Sequence, residues 1–253
     1  NSPPLGIDER DRYEKAVYTE TSSELVAHAQ KALDLILERG TGAHGLLKIG
    51  NGDWNDGMDK VGTRGRGESV WLTWFFSHTA HRFAALLSAR GQTAQAEKYE
   101  AAAAELGKSA NNAWDGNWYL RGYYDKGTPL GSKNQSFCQI DSIAQSFSSL
   151  SPEAEKKRVN NALSSAVSRL FDRENNIISL FDPPFENSDP SPGYIESYGP
   201  GFRENGGQYT HGAVWLAMAL LKENRADEAI SLIEALLPDS RKLENLSAWV
   251  RPT

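Results

Sequence analysis

Cysteine is almost absent from this chain. Cys138 stands alone among 253 residues, so no internal disulfide can form and a reducing compartment is the expected setting. Long hydrophobic runs are missing as well. No segment reaches the roughly 18 apolar residues that a membrane-spanning helix needs, and no signal peptide is visible. The expectation is a cytoplasmic location with no direct membrane contact. Positive charge is in deficit: 27 Lys and Arg face 33 Asp and Glu, for a net charge of −6. With no basic run to meet phosphate backbones, nucleic acid is not an expected partner. An initiator Met is lacking at Asn1, as in a piece of a longer protein. The sequence holds no G-x-S-x-G elbow, no phosphate-binding Walker loop, no H-E-x-x-H and no cysteine-pair metal site. What is present is ordinary for a globular chain: 39% apolar and 24% charged residues, enough for one domain over 1–253.

Helical signals dominate. Thr21-Ser22-Ser23-Glu24 has capping-box spacing. Leu25, Ala29, Leu33 and Ile36 follow at helical intervals, and Gly40 stops the run. Residues 69–90 and 212–221 are apolar on nearly every side, which predicts helices buried all round. Residues 94–106 are strong helix formers with one apolar stripe. Ser151-Pro152 reads as an N-cap followed by proline in the first turn of an amphipathic helix running to about Phe171. Asp227–Leu237 is amphipathic again. Buried helices alternating with half-wet ones predict inner helices enclosed by outer ones. Gly/Pro-rich loops interrupt them at 51–68, 115–136 and 181–207. Loops this long in a compact domain are usually functional. Strand-like pieces, Trp118–Tyr124 and Ile177–Leu180, sit within or beside them.

Three constellations carry chemistry. The first is Gly52-Asp53-Trp54-Asn55-Asp56-Gly57. A carboxylic acid can protonate a glycosidic oxygen as it leaves, and an indole can stack on a sugar face. A calcium loop would need glycine five positions after its first ligand. That position is Asp56 counted from Asn51, or Met58 counted from Asp53, so the metal reading fails. Spacing alone does not choose between an acid and a turn in which Asp and Asn cap backbone groups.

The second runs from Tyr194-Ile195-Glu196-Ser197-Tyr198 through Arg203-Glu204-Asn205-Gly206-Gly207-Gln208-Tyr209-Thr210-His211. It leads into the predicted helix 212–221 and places an imidazole at a helix N-terminus, which suits an anion. A capped helix with a structural histidine is the plainer reading. The third runs from Trp118-Tyr119-Leu120-Arg121 through Tyr123-Tyr124-Asp125 to Asp141 and Gln145. Aromatics with Arg, Asp and Gln fit a sugar-binding wall, and Asp141 and Gln145 lie four apart on one helical face. An aromatic hairpin packed on helices is the competing reading. His78 and His81, three apart on a predicted buried helix, read as core residues.

Together these strings resemble glycoside hydrolase family 94, the inverting β-glycoside phosphorylases. The matching strings are GDWNDGM-x-x-VG-x-x-GRGESVWL (52–72), LRGYYD-x-G-x-PLGS (120–132), C-x-IDSIAQS (138–146), PPF (183–185), PGYI (192–195) and PG-x-RENGGQYTH (200–211). They look most like the branch of cyclic β-1,2-glucan synthases and β-1,2-oligoglucan phosphorylases. The resemblance implies an all-α fold, part of an (α/α)6 barrel with long functional loops and short β hairpins. It implies Asp56 as general acid and inorganic phosphate as the nucleophile that inverts the anomeric carbon, with no cofactor. Trp54, Arg203 and Glu204 match sugar-contacting positions and His211 a phosphate ligand; Asp141 and Gln145 join the expected substrate-binding set. A β-glucan or disaccharide and phosphate are the implied partners, and a homodimer stays open. A parent protein of the synthase type would be membrane-associated.

The chain departs from the family in helix count, about seven against about a dozen, and in the sequence after Pro238, where the pattern stops. Two other functions stay open. One is an inverting hydrolase with Glu196 or Glu204 as base. The other is a carbohydrate-binding fragment without turnover.

Overall fold

The computed structural model describes residues 12–15, 18 and 22–237. Seven α-helices run through the described residues: α1 (Leu25–Arg39), α2 (Val70–Ala89), α3 (Thr93–Asn112), α4 (Ser142–Ser148), α5 (Lys156–Leu170), α6 (Thr210–Lys222) and α7 (Ala226–Leu236). Two-residue strands join them. β1 (Glu68–Ser69), β2 (Gly122–Tyr123) and β3 (Pro129–Leu130) form a small antiparallel sheet. β4 (Ile140–Asp141) pairs with β7 (Phe181–Asp182), and β5 (Phe171–Asp172) with β6 (Ile177–Ile178).

The helices stack in two rows. α2 touches α4, and α4 touches α6; α3 packs on α2, α5 on α4 and α7 on α6. This is the inner and outer alternation that the hydrophobic patterns predict. A closed (α/α)6 barrel needs a dozen helices, so the barrel itself remains an expectation. α4 is buried at every residue. α1 lays Val26, Ala29, Leu33 and Ile36 against a core of Phe76, Leu87, Tyr99 and Leu106 between α2 and α3, and the Tyr99 hydroxyl donates to Asp34 at 2.8 Å.

Three local expectations change. Thr21 lies outside the described residues, and α1 starts at Leu25 with Glu24 in the cap position and no side-chain cap bond. The Glu24 carboxylate accepts from Arg90 at 2.9 Å instead. Ser151-Pro152 does not open α5. Ser151 donates its hydroxyl to Glu153 at 2.7 Å, residues 152–154 make a turn, and the helix begins at Lys156. Finally, α6 is not buried all round. Val214, Met218 and Leu221 are 43–49% exposed and, at i, i+4 and i+7, share one face. Ile230 and Ile233 of α7 and Phe75 of α2 are exposed as well.

Candidate functional site

Long loops gather where the N-termini of α2, α4 and α6 converge. The loop 51–57 is anchored by Asp53, whose side chain is fully buried. Its Oδ1 accepts from the Asn55 N–H at 3.0 Å and Arg121 Nη2 at 2.6 Å. Its Oδ2 accepts from Arg121 Nη1 at 2.7 Å and the Ser69 hydroxyl at 2.6 Å. A carboxylate engaged on all sides inside the protein has no free oxygen for a substrate. Asp56, three residues on, is exposed. The structure thus separates two aspartates that spacing could not.

The segment 192–198 closes over the Asp56 side. Lys60 N–H donates to Pro192 O at 3.0 Å, and Ile195 N–H to Gly57 O at 2.9 Å. Tyr194 N–H donates to Asp59 Oδ1 at 2.9 Å. Gly193 sits at φ +130°, and a Cβ there would collide with Asp59 and Gly57, so this close approach requires glycine. The Tyr194 phenol faces Asp56. Burial and the Asp56 carboxylate raise its pKa above the ordinary value, so it stays a hydroxyl donor.

The aromatic wall is built around Trp54. Its Nε1–H donates to His211 Nδ1 at 3.1 Å. Since an indole N–H can only donate, Nδ1 accepts and the ring proton belongs on Nε2. Tyr209 meets Trp54 edge-on at 5.2 Å, and Trp215 lies 5.3 Å from Trp54 and 4.1 Å from His211. His211 is exposed in the first turn of α6, whose N-cap residue Tyr209 makes no side-chain cap bond. Backbone donors, the helix dipole and an imidazole therefore meet at one place.

Arg203 and Glu204 complete the rim. Arg203 adopts φ +47°, a left-handed conformation that costs a non-glycine residue of order 1 kcal/mol. Its guanidinium lies over the Tyr198 ring at 4.7 Å. Glu204 Oε2 is 3.3 Å from Arg203 Nε but buried without a well-directed hydrogen bond. Tyr209 also faces Glu204, and burial together with that carboxylate raises its phenol pKa.

The structure thus brings together Asp56, Trp54, Arg203, Glu204 and His211. It does not bring Asp141 and Gln145 to them as ligands for a substrate. Asp141 is buried, accepting from Arg121 Nε at 3.0 Å and the Ile143 N–H at 2.9 Å. Gln145 is fully buried and brackets the Tyr119 backbone, accepting from its N–H at 2.8 Å and donating to its carbonyl at 2.9 Å. They do not share a helical face: Asp141 is the extended N-cap of α4, outside the helix, and Gln145 Nε2 donates to its backbone carbonyl at 2.9 Å. Glu196, considered as a hydrolytic base, is likewise occupied. It accepts from the Ser188 N–H and hydroxyl and from the Ser191 hydroxyl at 2.6–2.8 Å. Partial burial opposes its ionisation, but those bonds win and hold its pKa below the ordinary value. His78 and His81 are half-buried on α2, bonded to Leu150 O and Glu153. Sequence reasoning assigned no role to Tyr194 or Trp215. Trp215 was legible, since it lies four residues after His211 on the same helix face; Tyr194 stands in the second constellation and in the PGYI string, but nothing local ties it to Asp56.

Helices in two rows, with long loops gathering a carboxylate and aromatics at one end, follow the plan of carbohydrate-active helical domains. The chain belongs to the glycosyl hydrolase 94 superfamily, whose catalytic-domain model matches residues 7–247. It is 43% identical to the cyclic beta-(1,2)-glucan synthase NdvB of Rhizobium meliloti (strain 1021), over 97% of this chain and 9% of that protein. It is 33% identical to the solabiose phosphorylase of Paenibacillus borealis, over 79% of this chain and 26% of that enzyme. A third relative, the 3-O-beta-D-glucopyranosyl-beta-D-glucuronide phosphorylase of the same organism, is 31% identical over 86% of this chain and 28% of its own length. The chain therefore spans between 9% and 28% of the length of the curated relatives named here. No described helix is long and apolar enough to cross a membrane.

Proposed function

We propose that this chain carries the acid and part of the anion site of an inverting β-glucoside phosphorylase domain, with other segments of an (α/α)6 barrel completing it. Asp56 protonates the glycosidic oxygen. Phosphate, held by His211 Nε2–H and the first turn of α6, attacks the anomeric carbon from the opposite face and leaves as a sugar 1-phosphate. Trp54, Arg203 and Glu204 hold the sugar. The observation that carries this reading is the use of the acidic groups. Asp53 and Glu196 are fully engaged, Glu204 lies against Arg203, and Asp56 is open. An inverting hydrolase needs a second free carboxylate to activate water, whereas phosphate arrives already anionic. The relationship to a protein named for cyclic β-(1,2)-glucan favours β-1,2-linked glucans as substrate.

The test is phosphorolysis by the full-length gene product on β-linked gluco-oligosaccharides, read as sugar 1-phosphate. Turnover that persists unchanged without phosphate would replace this reading with hydrolysis.

A further inference from the structure

We infer that Arg121 is a positioning residue for the acid: through Asp53 it holds the Asp56 loop in register with the N-termini of α2 and α4. The inference rests on the phosphorylase reading for its target, Asp56.

Arg121 lies just before β2, outside every loop that bears a proposed ligand. Its own backbone is fixed, with its N–H donating to Leu130 O at 2.8 Å and its carbonyl accepting from Val70 N at 3.0 Å. Gly131 is wedged beside it, at φ +84° and with its missing Cβ 2.3 Å from Arg121 N, so no larger residue fits. From that base the guanidinium, wholly buried, reaches three elements. Nη1 and Nη2 fork onto Asp53, Nη1 also donates to the Ser69 hydroxyl at 3.1 Å, and Nε donates to Asp141. Ser69 and Asp141 are themselves caps. Ser69 Oγ accepts from the Leu72 N–H of α2, and Asp141 Oδ1 from the Ile143 N–H of α4. One cation is therefore bonded to the acid loop and to both helix caps.

Stability alone accounts poorly for this arrangement. Two carboxylates share one guanidinium in a dry site, and burial, against the pull of Arg121, pushes Asp141 up to about 6. Buried ion clusters of this kind are often matched or bettered by apolar replacements. What a forked guanidinium provides is a single orientation. Asp53 Oδ1 accepts the Asn55 N–H at 3.0 Å, and Met58 N–H on Asn55 O at 3.1 Å closes the next turn, 55–58, which carries Asp56. A shift at Asp53 is thus carried to the acid.

The experiment uses the full-length protein with Asp53→Asn, which keeps shape but weakens the fork, and Arg121→Lys, which keeps charge but removes it. Hydrogen exchange by mass spectrometry is read over residues 51–58. Exchange there accelerates roughly tenfold in Asp53→Asn, while α3 and α7 keep the wild-type rate. Phosphorolysis is then compared on an unactivated β-glucoside and on an aryl β-glucoside with a good leaving group. On the unactivated substrate kcat falls about 100-fold, with KM for phosphate within about twofold. On the aryl substrate, which needs little protonation, the loss stays below about fivefold. Unchanged exchange at 51–58, or equal losses on both substrates, overturns the inference. Should Arg121→Lys fail to fold, Asp53→Asn decides. A wild type that yields no sugar phosphate defeats the phosphorylase reading, while the exchange result still decides whether the Asp53–Arg121 fork holds the loop.

Discussion

At the scale of single residues, one motif holds two aspartates with opposite fates. Asp53 and Asp56 differ by three positions, yet one is bound by Arg121 and the other is open. Asp56→Asn is therefore expected to lower phosphorolysis of an unactivated glucoside by about 10²–10⁴-fold, the usual worth of a general acid, with little change in melting temperature. His211→Ala has a different signature. It removes one donor to an anion, so KM for phosphate rises about tenfold or more, while KM for the glucoside changes little. Steady-state kinetics with each substrate varied in turn separates the two. The motif was legible in the sequence, and the family resemblance pointed to Asp56; spacing alone made no choice, because Asp53 is defined by a partner 68 positions away. Asp141 and Gln145 make the same point in reverse. Their i, i+4 spacing predicts one helical face, but Asp141 caps α4 in an extended conformation and Gln145 turns to the Tyr119 backbone, partners that spacing does not reveal.

At the scale of elements, apolar patterning gave α1, α2, α6 and α7 to within a few residues, by periodic stripes in α1 and α7 and by runs apolar on nearly every side in α2 and α6. The helix starts were harder. Thr21-Ser22-Ser23-Glu24 and Ser151-Pro152 carry good capping chemistry, but Glu24 is drawn to Arg90 across the fold and the Ser151 hydroxyl to its near neighbour Glu153. The loop 62–67 shows a similar long-range anchor. The Asp125 carboxylate accepts the N–H groups of Arg64, Arg66 and Gly67 at 2.8–2.9 Å. Partial burial opposes ionisation of Asp125, but these three donors outweigh it and lower its pKa. A carboxylate whose folded pKa is depressed contributes its full stability above the unfolded value, about 3.9, and loses it as pH falls through the folded value. Asp125→Asn is expected to cost about 1–3 kcal/mol at pH 7. That difference narrows as pH drops below about 4, which urea melts at a series of pH values would follow.

At the scale of the molecule, the exposed face of α6 and α7 connects the fold to the proposed function. Val214, Met218 and Leu221 are apolar and open, and the chain covers between 9% and 28% of the length of the relatives compared with it. In a completed barrel further helices would lie against this face. The proposal gives one set of substitutions opposite effects in two settings. In the isolated 253-residue chain, replacing Val214, Met218 and Leu221 by Ser, Gln and Gln removes an exposed apolar stripe. Self-association in light scattering and dye binding should fall, with melting temperature changing by no more than a few degrees. In a full-length protein with a closed barrel the same residues would be buried, at roughly 1.5–3 kcal/mol for each large apolar side chain. The triple variant should there lose several kcal/mol and most of its activity, since His211 heads the same helix. Equal tolerance in both settings would mean that no further helix covers α6, and the barrel proposal would fail with it.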